Sequence, residues 1–285
     1  HGARLIGGLL ALVLALTAAG SGQAAGYEES YREAVRYYNG DGVAQSYEQA
    51  FLILGPLAQA GYAPAQSLAG YMFLRGIAVD MDEEVAFELF REAAGQGNDF
   101  GKYWLGRAYS EGLGTEKNAE LGINWLTEAA DAGDAYAMHM LGTIYHIGDG
   151  VGIDYAKAKA WYEKAAALDQ AESLSALGSL YEEGRGIPQD VEKAMSCYRK
   201  AAELWGSSSL DAYSRMGDLY RKGELVPKDI EQALSWYQKG AEAGDADSLY
   251  ALGWMYNGGI DVEKDADKAQ GYYEKALSAF IRDHH

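Results

Sequence analysis

His139 and His146 stand in the stretch HMLGTIYHIGDG (139–150) and are the residues best suited by type to metal binding or proton transfer. Their spacing argues against a shared metal. Seven residues along a helix separate Cα atoms by roughly 10 Å, whereas zinc holds each ligand at ~2 Å and takes helical pairs at i, i+4. The remaining histidines, His1, His284 and His285, are terminal. The acidic run of Asp80, Asp82, Glu83 and Glu84 lacks the ligand spacing and glycine of a calcium loop. It suits a helix start instead, where carboxylates meet the positive end of the macrodipole. The chain contains no G-x-S-x-G elbow, S-x-x-K pair or G-x-x-x-x-G-K-[ST] phosphate loop. Its single cysteine, Cys197, cannot form an internal disulfide and is expected to be a buried free thiol. No catalytic residue, cofactor or metal is therefore expected, and the chain reads as a binding protein rather than an enzyme.

Composition narrows the partner. With 48% hydrophobic and 12% aromatic residues the chain can bury a sizeable core. Its 24 basic and 42 acidic residues give a formal charge of -18, which repels phosphate backbones and anionic lipid, so nucleic acid is not an expected partner. The first 25 residues differ from the rest. Arg4 precedes the apolar run LIGGLLALVLAL (5–16), and small residues ending in GQAAG follow. These are the parts of a secretory signal peptide, with cleavage expected near Ala24 or Ala25. The apolar core falls short of the roughly 20 residues that span a bilayer, and no later segment is expected to span one. The expectation is a periplasmic or secreted protein. The chain opens on His1 rather than Met, so the basic n-region is expected to extend upstream.

The elements that must position any site are written in a repeat. Ala34, Gly70, Gly106, Gly142, Gly178, Gly217 and Gly253 are spaced 36, 36, 36, 36, 39 and 36. An aromatic follows three positions later each time (Tyr37, Phe73, Tyr109, Tyr145, Tyr181, Tyr220, Tyr256), and a glycine six positions later. Twelve positions on stand Ser46, Asp82, Asn118, Asp154, Asp190, Asp229 and Asp265, all good helix N-caps. The phases predict a helix hairpin. Helix A carries the first glycine and stops at the second, and helix B begins at the cap. Ser46 with Gln49 and Asp229 with Gln232 resemble capping boxes. Small residues at the first glycine phase and along helix B let the two helices approach closely, with Leu141 and Tyr145 packed as a ridge. One hairpin cannot bury its apolar face alone, whereas seven stacked ones can. The repeats are expected at about 27–62, 63–98, 99–134, 135–170, 171–209, 210–245 and 246–281, within a domain of 26–283. The 39-residue spacing, around ELWGSSSLDAY (203–213), predicts either a longer helix B in the fifth unit or a serine-containing loop.

The segment LGSLYEEGRGIPQDVEKAMSCYRKAA (177–202) resembles the Sel1-like repeat (SLR), a relative of the tetratricopeptide repeat, and the likeness extends over about 27–281. The first unit departs from the pattern, with Ala34 for glycine and Ile53, Leu54 and Pro56 in helix B, and reads as a cap or a degenerate end. The resemblance implies an all-α, right-handed α/α solenoid that binds proteins or peptides, often as an exported or envelope-associated adaptor. On a helical wheel the His139/His146 face lies about 180° from the core positions Leu141 and Tyr145, on the side of this superfamily's concave groove. The same phases give Tyr71, Tyr103, Arg107, Tyr136, His139, Thr143, His146, Ser179, Glu182, Asp218, Arg221, Tyr250, Trp254 and Asn257 as the expected partner-binding groove. Aromatics interleaved with charges suit interface anchors. A protein or peptide is the first expectation and a cell-wall glycan or polysaccharide the second. A hydrolase of cell-wall or β-lactam substrates ranks third, because the disulfide per repeat of the cysteine-rich members is missing. If His139 and His146 are exposed, replacing both with alanine should change stability by no more than about 0.5 kcal/mol.

Overall fold

The computed structural model describes residues 21–204 and 210–283. Among them every regular element is a helix, and the fourteen helices form the seven hairpins of an α/α solenoid. They are α1 (Ser21–Asn39), α2 (Tyr47–Gln59), α3 (Ala63–Arg75), α4 (Glu83–Gly95), α5 (Asp99–Glu111), α6 (Ala119–Asp131) and α7 (Ala135–Ile147). The second half continues with α8 (Tyr155–Ala166), α9 (Ala171–Glu183), α10 (Val191–Glu203), α11 (Asp211–Lys222), α12 (Ile230–Ala243), α13 (Ala246–Gly258) and α14 (Ala266–Asp283). Odd-numbered helices are helix A of each repeat and even-numbered ones helix B. The signal-like segment lies mostly outside the described residues.

The caps sit where the sequence places them. Ser46, Asp82, Asn118, Asp154, Asp190, Asp229 and Asp265 each accept a hydrogen bond from the backbone N–H three residues on, which satisfies a donor that a helix start leaves orphaned. The same seven residues donate their own N–H to the carbonyl of the repeat's aromatic, as from Asp190 to Tyr181 at 2.9 Å. The aromatic position thus ties the end of helix A to the start of helix B through its backbone. Between them helix A closes on a left-handed residue, such as Gly184 at φ 64°, a conformation that a side chain disfavours. Asp82, Glu83 and Glu84 form the cap and first turn of α4, which absorbs the acidic run into a helix start.

Two compact units divide the chain within α7, residues 1–137 and 138–285. The first contains apolar clusters of buried residues. One holds Leu54, Leu57, Ala65 and Met72 with Ala34, and another Phe87, Phe90, Trp104 and Leu105. Ala34 is fully buried in glycine's place, so the first repeat packs as a regular hairpin. Pro56 lies inside α2, and the carbonyl it leaves unbonded belongs to Leu52, a residue on the exposed side of that helix. In the second unit Tyr162, Leu177, Leu180, Tyr198, Met216 and Leu219 form the main core, and Tyr237, Leu252 and Met255 a smaller one.

The irregular spacing leaves the helices unchanged. α10 closes at Glu203 after 13 residues, as long as α9, so the extra residues do not lengthen helix B. The serine-containing loop (205–209) lies outside the described residues. Cys197 is partly rather than fully buried, and burial pushes its thiol above the ordinary range.

Candidate binding face

The candidate face is built by a contact between helices A and B of the same repeat. In each hairpin the residue twenty positions after the helix-A glycine crosses beneath that glycine. A Cβ added to Gly142 would stand 2.5 Å from the ring of Tyr162, and one on Gly178 2.5 Å from that of Tyr198. Gly70 meets Phe90, Gly106 meets Leu126, Gly217 meets Tyr237 and Gly253 meets Tyr273 in the same way. Real side chains do not approach so closely, so glycine makes room for a ring. The ring lies in the core while its hydroxyl emerges on the far side, among the predicted groove residues.

Three helix-B tyrosine hydroxyls of the second unit, those of Tyr162, Tyr198 and Tyr237, each organise a polar group. Tyr162 lies 3.2 Å from Thr143 Oγ1 and 3.4 Å from His146 Nδ1. Tyr198 donates to Glu182 Oε2 at 2.7 Å. Tyr237 donates to Asp218 Oδ1 at 2.6 Å and accepts from Arg221 Nε at 3.1 Å. Burial, the largest cause, raises all three tyrosine pKa values, and the Glu182 and Asp218 carboxylates push Tyr198 and Tyr237 further, so all three stay protonated and Tyr198 and Tyr237 donate to those carboxylates. Desolvation would raise the Asp218 pKa, but hydrogen bonds from Tyr237, Lys222 and Arg221 outweigh it and hold the carboxyl below the usual range. Ser179 donates to Glu183 at 3.3 Å. Tyr250 is 59% and Trp254 38% exposed, and Asn257 is exposed beside them.

The two histidines are less exposed than the sequence predicts. Both are half-buried against Tyr162, with ring centroids 5.5 Å (His139) and 6.1 Å (His146) away. His139 Nδ1 lies 2.9 Å from the Oγ of Ser173, a fully buried residue of α9. Burial lowers the pKa of each, against the opposing charges of Glu172 near His139 and Glu183 near His146. The correction has a physical reason. A position opposite one helix's own core still faces the next helix A in a stack, so the wheel of a single helix overstates its exposure.

In the first unit the face is aromatic. Tyr71 packs 5.1 Å from Trp104 and 6.2 Å from Phe100, and Tyr103 lies 5.2 Å from Trp104 and 6.4 Å from Tyr136. The Arg107 guanidinium sits 4.8 Å above the Trp104 ring and makes a two-oxygen ion pair with Glu111. Tyr136 is 62% exposed and Phe100 40%, whereas Trp104 is buried. Sequence reasoning missed Phe100, Trp104 and the three helix-B tyrosines. The twenty-residue spacing from glycine to aromatic, constant from Gly70–Phe90 to Gly253–Tyr273 apart from Leu126, carried the tyrosine signal.

Among the described residues no cluster of three or more metal-ligating side chains occurs, and no helix is long and apolar enough to cross a membrane.

The Sel1 repeat pattern matches residues 30–62, 63–98, 100–134, 135–170, 171–204, 210–245 and 246–279. No curated protein matches the chain. Among solved structures, c5321, a protective antigen present in uropathogenic Escherichia coli strains and displaying an SLR fold, is 31% identical with a TM-score of 0.69. That alignment covers 90% of this chain but only 54% of c5321, so the chain spans about half the length of that relative. A Sel1 repeat protein from Oxalobacter formigenes is 28% identical over 87% of this chain and 96% of its own, with a TM-score of 0.74. The immunity protein Pa5087 from Pseudomonas aeruginosa, 18% identical over 76% of this chain and 81% of its own at a TM-score of 0.51, shares the fold alone. Seven matched repeats, with glycines, caps and aromatics in register, place the chain in the Sel1 repeat family.

Proposed function

We propose that the protein is an exported, non-enzymatic scaffold that binds a protein or peptide along its helix-A face, in signalling or assembly at the cell envelope. Sel1 repeats are typically protein-interaction scaffolds, and the family sets the class. The observation that carries the reading is the row of hydroxyl-held polar groups, Thr143 with His146, Glu182, and Asp218 with Arg221. Groups already fixed by buried tyrosines lose little freedom on binding, which favours affinity. The exposed ring of Tyr136 adds the kind of anchor that interfaces favour. Export rests on the order of charged, apolar and small residues at the N-terminus.

A photoreactive residue in place of Tyr136 tests the reading in the native envelope, with one in place of Lys239 on the exposed surface of helix B as the control. The expected outcome is a protein adduct at 136 that is absent at 239. Adducts with glycan alone, or equal adducts at both positions, would refute a protein-binding helix-A face.

A further inference from the structure

The helix-A face of the first unit holds hydrogen-bond donors that the protein itself leaves unanswered. Phe100 and Tyr136 stand six positions before the glycine phase on neighbouring helices A, and both rings are exposed. Trp104 is buried at 8% exposure against Tyr71, Phe100 and Tyr103, yet its indole Nε1–H has no hydrogen-bond partner among the described residues. A buried donor left unpaired is costly, and native interiors rarely keep one. Charge sorts the same way. Helices α3 and α5 carry Arg75, Lys102 and Arg107 against Asp99 and Glu111, a surplus of one positive charge in a chain of formal charge -18. Lys102 pairs with Asp99 at 3.1 Å and Arg107 with Glu111 at 2.8 Å. The surplus therefore falls on Arg75, which is exposed and in no ion pair among the described residues. Arg75 follows Tyr71 by four residues and shares its side of α3. Burial raises the pKa of Tyr38 on α1, with Tyr71 and Tyr47 adding to the rise and Arg75 opposing it, so Tyr71 and Arg75 act at one end of the strip.

Peptides are recognised as an added strand, as a helix in a groove or as an extended polyproline II segment. Strand addition needs a sheet edge, and every regular element among the described residues is a helix. A bound helix closes its carbonyls on its own N–H groups and leaves the donors of this face without acceptors. A polyproline II segment has no internal hydrogen bonds, so its carbonyls are free to accept, and proline-rich segments dock on aromatic-lined surfaces. Its three-residue turn rises ~9 Å, close to the roughly 8–10 Å between packed helices, so every third residue meets the next helix A. We propose that Tyr71, Arg75, Phe100, Tyr103, Trp104 and Tyr136 form a site for a proline-rich segment of acidic character, with prolines on the Phe100 and Tyr136 rings and a carboxylate on Arg75. Such a site presupposes the protein-binding helix-A face and specifies the partner's chemistry. A carbonyl of the segment accepts from Trp104 Nε1 once the exposed Phe100 ring, 6.1 Å from the indole, turns aside.

Fluorescence anisotropy on the full chain tests this with a labelled Pro-Pro-Glu repeat peptide of about twelve residues, long enough at ~3.1 Å per residue to cross three helices A. Two comparison peptides replace Glu by Lys, or Pro by Ala. The acidic proline peptide should bind at least about tenfold more tightly than either. The double variant Phe100→Ala, Tyr136→Ala should weaken that binding by about tenfold or more, with helix content by circular dichroism unchanged because both side chains are exposed. Arg75→Glu should weaken the Glu peptide and strengthen the Lys peptide, a reversal that a general loss of structure does not produce. No binding of the acidic proline peptide, equal binding of the lysine or alanine peptide, or binding unchanged in the Phe100/Tyr136 variant would each overturn the proposal. A protein adduct at 136 alongside any of those results would show a protein-binding helix-A face that prefers another chemistry.

Discussion

A hydroxyl on a buried ring does two jobs in this protein, packing under a glycine and presenting a fixed donor. Gly178→Val should therefore be costly. Its side chain would collide with the Tyr198 ring, and overpacking of this kind costs about 1–3 kcal/mol, which outweighs the gain in helix propensity of a few tenths of a kcal/mol over glycine. A lowered melting temperature checks this, and an unchanged one would mean that the ring can move aside. His139 is likewise structural as well as superficial. Losing its bond to the buried Ser173 should cost about 0.5–1.5 kcal/mol in His139→Ala, more than an exposed histidine would. The folded state lowers the pKa of His139 and His146 from 6.5, so it binds fewer protons than the unfolded chain. Their contribution is fully present above that value and is lost as the pH falls below it through the folded values. Melting curves at neutral and mildly acidic pH should show stability dropping, with a smaller drop in the variant His139→Gln, His146→Gln. Equal slopes would mean that other groups set the acid response.

At the scale of the helix, the hairpin is held by a cap whose side chain closes helix B and whose backbone N–H reaches back to the aromatic of helix A. Asn118 is such a cap, accepting from Leu121 N at 3.0 Å and donating to the Tyr109 carbonyl at 2.7 Å. Asn118→Ala removes only the side-chain half and should cost about 1 kcal/mol. Asn118→Pro removes the backbone half as well and should cost more. Denaturant melts of the two variants check the order, and a proline variant no less stable than the alanine one would show that the backbone tie contributes nothing.

Over the whole molecule, the formal charge of -18 is spread along the chain, a distribution that repels phosphate backbones. If the N-terminal segment is a signal peptide, mass measurement on protein recovered from the cell envelope or medium should give a chain starting near Ala25 or Gly26. A chain that keeps residues 5–16, or one recovered only from the cytoplasm, would contradict export. The two units each have their own core, and most of their contacts join neighbours in sequence, the condition under which repeat stabilities add. Core variants such as Leu54→Ala in the first unit and Leu180→Ala in the second should then show nearly additive losses of about 2–5 kcal/mol each.

The sequence by itself determined the hairpin. Glycine, aromatic, second glycine and cap recur at fixed phases because each serves a contact or turn within one repeat, and such contacts are local. Seven repeats, the seven caps and the absorption of the acidic run into α4 all follow from that. Tertiary structure decided exposure. Whether His139 meets solvent depends on Ser173, thirty-four residues away. A helical wheel records the angle of a side chain about its own axis and contains nothing of the neighbour that arrives from the next repeat. For the same reason a wheel of helix B gives no sign that its tyrosines reach the helix-A face. Only the close approach permitted by Gly142, Gly178 and Gly217 shows that their hydroxyls pass through to the opposite side.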